Sequence, residues 1–290
     1  MSSSQTPKLL VLALLSIFMM GFVPVLISWV SANEVTIGIV RLAIAATGIL
    51  CLLLLTKQFT RITRRDLGWL AILGFTFCIH WYMYFYSIKQ AGPSLAAIAV
   101  CTFGIHLLFV NRCFFNERFT PMDYVAVVIA ISGVVIATPF SADGDNVVWG
   151  FTVGVASGFL YACLPAINRQ IKHLNTNTRA LGQFGFGLIG FLMVWPASDW
   201  QLSEDDWIGL VILGVMCTLG AHTLWNKVST ELSTKFTAVI YYLYIPMAMS
   251  MSVLLLDQVI TWSMIIGASL IVAANVLVVL FHKDKKESAS

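Results

Sequence analysis

Charge is what this sequence has least of. Of its 290 residues only 11% are Asp, Glu, Lys or Arg, while 59% are hydrophobic. Soluble domains average about 25% charged residues. A chain of this size with so few charges cannot cover a surface that faces water, which excludes a soluble globular protein. The net charge of +3 is too small to suggest a nucleic-acid partner. Catalytic patterns are missing too: there is no G-x-S-x-G, no phosphate-cradling glycine loop and no H-E-x-x-H. The five histidines (His80, His106, His173, His222, His282) are scattered over three apolar segments, a loop and the tail. Neither an enzyme, a metal site nor a cofactor is expected. The six cysteines all lie within or at the ends of apolar segments without metal-ligand spacing, so they read as buried free thiols.

Long apolar runs are what the chain has instead. A helix rising 1.5 Å per residue needs about 20 residues to cross about 30 Å of hydrocarbon. Ten runs meet that need approximately, at 8–30, 33–55, 67–88, 93–115, 121–138, 149–168, 180–195, 207–227, 237–256 and 262–281. The first is too long for a signal-peptide core and lacks a small-residue cleavage pattern, so it is expected to be retained. With both termini in the cytoplasm, 15 of the 17 Lys and Arg residues fall on cytoplasmic segments; Lys89 alone lies outside and Arg41 lies within a span. Such an asymmetry is the positive-inside signal. It predicts an integral, multi-pass protein of the plasma (inner) membrane.

The chain also repeats itself. The stretch 88–120 is written again at 228–261, with Thr120 over Thr261, Ala97 over Ala238 and Glu117 over Gln258, all at one offset. Pro24 and Pro165 share that offset, while Asp66 and Leu73-Gly74 recur one position short of it as Asp206 and Leu213-Gly214. One spacing for several weak matches argues for two related halves. The halves are placed at 1–138 and 149–282, joined by an extracytoplasmic linker at 139–148 (proline, glycine and aspartate) and followed by a cytoplasmic tail at 283–290. Five spans per half is an odd number, so the second half enters from the opposite side. The predicted fold is all-α and polytopic, with ten transmembrane helices as two inverted five-helix repeats around a central cavity. That architecture is used by secondary transporters.

Polar groups at mid-span cannot face lipid without cost. His80 and Tyr84 lie one helical turn apart with Trp81 beside them; the related region of the eighth span offers His222 and Asn226 with Trp225 beside them. Two such groups in related helices argue for a shared cavity, against the alternative of hydrogen bonds that only tie helices together. Phe103 and His106, Tyr161, and Tyr241 and Tyr244 are added as lining candidates. Aromatic faces and the carbonyls freed by Pro24 and Pro165 would suit a cationic or zwitterionic ligand. Arg41, the one cation inside a span, is either an anion ligand or gate, or a structural residue that caps carbonyls or snorkels toward Glu34. Glu117 reads as a helix-end salt bridge to Arg112, and Asp123 in the same way. The stripe Gly150, Gly154, Gly158 reads as close helix packing.

The chain resembles the EamA-like, ten-span permeases of the drug/metabolite transporter superfamily over residues 8–282. The likeness rests on Arg41-Leu42, Tyr84-Phe85-Tyr86, Asn116-Glu117-Arg118-Phe119-Thr120, Pro246 twelve residues before Gln258, and Gly267. It departs from that pattern in two places: Gln258 replaces an acid at the end of the ninth span, and Ile105-His106 replaces a proline in the fourth. The resemblance implies two inverted repeats around a central cavity and transport of small metabolites, with export of an amino-acid-type solute as the expectation. Alternatives are uptake of a quaternary ammonium compound such as choline, and, from another class, a membrane enzyme or lipid-intermediate translocase. The expected partners are a small-molecule substrate, the lipid bilayer and protons carried by His80 or His222, with monomer and homodimer both open.

Overall fold

The computed structural model describes residues 5–140, 145–231 and 239–281, and among these residues all regular structure is helical. We label the helices α1 (Gln5–Trp29), α2 (Glu34–Thr56), α3 (Arg64–Ala91), α4 (Pro93–Val100), α5 (Phe103–Phe115), α6 (Pro121–Ala137), α7 (Asp145–Gln170), α8 (Thr176–Met193), α9 (Glu204–Ile212), α10 (Ala221–Glu231), α11 (Tyr244–Leu256) and α12 (Trp262–Phe281). Among the described residues eight helical segments are long and apolar enough to cross a membrane, and α6 is a shorter apolar helix. The 18-residue α8, whose first turns carry Thr176, Asn177 and Arg179, lies where the seventh span was expected.

Two expected spans are not single helices. The fourth breaks at Cys101-Thr102, between α4 and α5, and the ninth at Tyr242-Leu243, just before α11. The two breaks are separated by the same offset at which the sequence repeats. Neither contains proline or glycine. At the first, Thr102 Oγ1 donates to the Ala99 carbonyl at 2.7 Å, and Asn275 Nδ2 of α12 donates to the Cys101 carbonyl at 3.0 Å. Backbone groups freed from the helix are thus satisfied by side chains, as hydrocarbon requires.

Helix ends recur at that offset too, to within one position. Asn33 accepts from Thr36 N to cap α2, and in the second half Asn175 accepts from Thr178 N to cap α8. Thr63 and Asp66 form a capping box at the start of α3; Ser203 and Asp206 form its counterpart at the start of α9. A third box, Thr120 with Asp123, opens α6. Asn116 and Asp257, again a repeat-related pair, close α5 and α11 in the left-handed conformation with φ of 54° and 51°. Each box satisfies amide donors that a helix start leaves without intrahelical partners.

Two reciprocal contacts fix how the halves are oriented. Asp206 accepts from Ser31 N at 2.6 Å and from Ser31 Oγ at 2.7 Å, so the eighth span begins at the end of the bundle where α1 finishes. Asp66 lies one α2 length away, about 34 Å for 23 residues at 1.5 Å each. There it meets His173 Nε2, in the connection from α7 to α8, at 3.0 Å. The repeat-related α3 and α9 therefore start at opposite ends, and the repeat is inverted.

Helices approach closely through small residues. A Cβ at Gly154 would collide with Ser87 Oγ and stand 2.8 Å from Ala99 Cβ, and one at Gly158 would stand 2.9 Å from the Val100 carbonyl. The glycine stripe of α7 is thus the seam against α3 and α4, in agreement with the packing role read from its spacing.

Candidate functional site

A cavity of about 60 Å³ lies at the centre of the bundle. At roughly 30 Å³ per water in the liquid, that is room for about two waters. Its wall draws on both halves: Met20 and Val23 from α1, Arg41 from α2, Phe77, His80, Trp81, Tyr84 and Phe85 from α3, and Val100 from α4. The second half supplies Tyr161 from α7, Cys217 and His222 from the eighth span, and Tyr241 and Tyr244 from the ninth.

His80 is fully enclosed and its orientation is fixed. Nδ1 lies 3.0 Å from the Ser157 carbonyl and 2.8 Å from Ser157 Oγ; we assign the proton to Nδ1 because the carbonyl can only accept. Ser157 Oγ donates back to the His80 carbonyl at 2.9 Å. In the neutral ring, Nε2 is left as the acceptor. The imidazole stacks on Tyr161 at 5.0 Å between centroids and on Tyr84 at 6.2 Å. The Tyr84 and Tyr244 hydroxyls hydrogen-bond to each other across the cavity, joining the two halves.

Arg41 is 2% exposed and lies in the cavity wall, away from Glu34. Its guanidinium carbon sits 4.1 Å from the Trp81 ring centroid and 5.2 Å from that of Phe85. Nε donates to Thr218 Oγ1 at 3.0 Å, and the Thr218 hydroxyl donates to the Leu213 carbonyl, five residues back, at 2.7 Å. That i→i−5 reach belongs to a π-helical stretch, Leu213–Gly220, between α9 and α10. A π-turn takes about one residue more than an α-turn. The stretch accounts for a shift in the repeat: the interval from His80 to His222 is longer by two positions than that from Leu73-Gly74 to Leu213-Gly214. Absorbing the extra residues brings His222 onto the cavity wall.

Of the sequence candidates, His80, Trp81, Tyr84, Tyr161, His222, Tyr241 and Tyr244 come together here. Phe103 stands one layer behind, edge-on to Tyr161 at 5.0 Å and to Tyr241 at 5.3 Å. Trp225 also backs the wall, 5.3 Å from Tyr241. His106 does not reach the cavity; it turns to Phe159 at 5.8 Å, because the break at Cys101-Thr102 resets the helical phase. The Asn226 side chain lies outside the described residues. Glu117 pairs with Arg169 of α7 at 3.3 Å, a partner in the other half, where Arg112 was expected. Asp123 serves the capping box of α6. Sequence reasoning missed Met20, Val23, Phe77, Phe85, Val100 and Cys217 in the wall, and Thr218 as the partner of Arg41.

The fold and cavity define a class: a polytopic, all-helical membrane protein in which two inverted halves enclose a mainly aromatic and apolar chamber that holds Arg41, His80 and His222. The family model of the EamA-like transporter family matches the chain twice, over residues 7–138 and 148–280. The chain belongs to that family. An uncharacterized transporter of Bacillus subtilis, YxxF, is similar at 22% identity over 191 residues, which is 62% of this chain and 60% of that relative's length. A solved crystal structure shares the fold at TM-score 0.66 and 14% identity, over 98% of this chain and 99% of its own.

Proposed function

We propose that the protein is a secondary transporter that exports a small polar or zwitterionic metabolite, of amino-acid type, by alternating access. The observation that carries this is the chamber itself: His80 and His222, from repeat-related helices, face one space whose walls come from both halves. Rocking one half against the other would expose that space to each side in turn. In this reading the two family matches correspond to the units 1–138 and 149–282, with the linker at 139–148 and the Ser31 end outside, and both termini in the cytoplasm of the inner membrane. His80 Nε2 offers an acceptor to a substrate ammonium group and a site for a coupling proton.

Flux of radiolabelled amino acids in liposomes containing the purified protein, compared with choline, tests the proposal. His80→Ala is expected to abolish flux while the protein still inserts. His282→Ala, beyond the described residues, is expected to leave it unchanged. Choline flux without amino-acid flux would replace this reading with uptake of a quaternary ammonium compound.

A further inference from the structure

We infer that the Arg41 guanidinium is the anchor for a substrate carboxylate, and that the chamber takes a monoanionic group at that point. The inference rests on the transport reading above. Arginine carries five N–H donors in a planar fork. A residue kept only to hold helices together would be expected to have them satisfied, yet among the described residues this side chain's one hydrogen bond runs from Nε to Thr218. Nη1 is sealed from solvent and finds no hydrogen-bond partner among the described residues. The charge is not balanced either: no described residue lining the chamber is Asp or Glu.

The remaining neighbours hold the fork in place without neutralising it. Trp81 and Phe85 cover the guanidinium face, and Thr218, itself tied to the Leu213 carbonyl, fixes the Nε edge. What remains is the outer edge of the fork, which matches the two oxygens of a carboxylate. A single fixed cation suits a single negative charge better than a dianionic phosphate ester. It also disfavours a ligand whose only charge is positive, although aromatic faces by themselves would welcome one. The acid group of the solute therefore contributes more than its amine.

The inference is tested with matched triads: L-phenylalanine, 3-phenylpropionate and phenethylamine, and L-leucine, 4-methylpentanoate and 3-methylbutylamine. Binding to the purified protein is followed by calorimetry and flux in liposomes. In the wild type, members with a carboxylate are expected to bind at least tenfold more tightly than the amine of the same triad. Arg41→Gln should weaken carboxylate binding by about ten- to a hundredfold, the range for a hydrogen bond to a charged group, and should strengthen amine binding by relieving like-charge repulsion. Arg41→Lys, which keeps the charge but loses the fork, should fall between. The wild-type comparison holds even if a variant fails to fold. Amines bound as tightly as acids, or undiminished acid flux in Arg41→Gln, overturns the anchor and leaves the transporter standing. No binding or flux of any triad member overturns both.

Discussion

The two ends of the bundle use one device with different partners. At each end an aspartate that caps a helix reaches across to the loop joining the first two helices of the other half. At one end Asp206 receives two hydrogen bonds from Ser31, one from its amide and one from its hydroxyl. That end is further tied by Lys89 donating to the Val30 carbonyl and by Ser94 Oγ donating to Gln258 Oε1 at 2.6 Å. At the other end Asp66 meets His173, whose side chain is 56% exposed, and Glu117 meets Arg169. Symmetry of fold therefore coexists with asymmetry of closure. The repeat supplies the capping carboxylate twice, and single substitutions in the loops decide how firmly each end is shut.

The largest effect is expected from Asp206→Ala. It removes a helix cap, worth about 1 kcal/mol, and two bonds to a charged acceptor, each about 1.5–3 kcal/mol. The Ser31 end should open. In a background without the six native cysteines, a thiol placed by Val100→Cys should react at least tenfold faster with an impermeant reagent added on that side. Asp66→Ala loses the same cap but only one partner across the seam, the exposed His173 side chain. Its opening, read from the opposite side, should be several-fold smaller. Equal opening by the two substitutions would break the comparison. The smallest effect belongs to His173→Ser, which copies the Ser31 arrangement; its melting temperature should stay within about 2 °C of wild type, in line with surface substitutions of about ±0.5 kcal/mol. Reactivity from the Asp66 side should fall slightly.

The fold was legible because its governing signals are local. Runs of about 20 apolar residues mark spans wherever they occur, and Asp66 and Asp206 stand out at the repeat spacing because capping needs an acid at one position of the first turn. The breaks at Cys101-Thr102 and Tyr242-Leu243 gave no such signal, since the bond that satisfies Cys101 comes from Asn275, 174 residues away. The break also turns His106, a lining candidate, toward Phe159 instead of the cavity. The π-stretch at Leu213–Gly220 hid in the small drift of the repeat, which is visible in the sequence but has no meaning until the helix is seen. Arg41 could be recognised as exceptional from its neighbours. Its direction could not, because Trp81 and Thr218 reach it only through tertiary packing.

The bond between Arg41 and Thr218 also sets a clock on biosynthesis. Its two ends are 177 residues apart, an interval of roughly 10–35 s at ordinary rates of translation. During that time α2 is already made, while the hydroxyl that will hold its cation is not. Trp81 and Phe85 arrive sooner, about 2–9 s after Arg41, and can shelter the guanidinium face. Nε has no acceptor from the second half until Thr218 is made, while Nη1 stays without a hydrogen-bond partner among the described residues even in the folded protein. Thr218→Val would leave Nε without that acceptor in the finished protein, a loss to be read as a lower melting temperature.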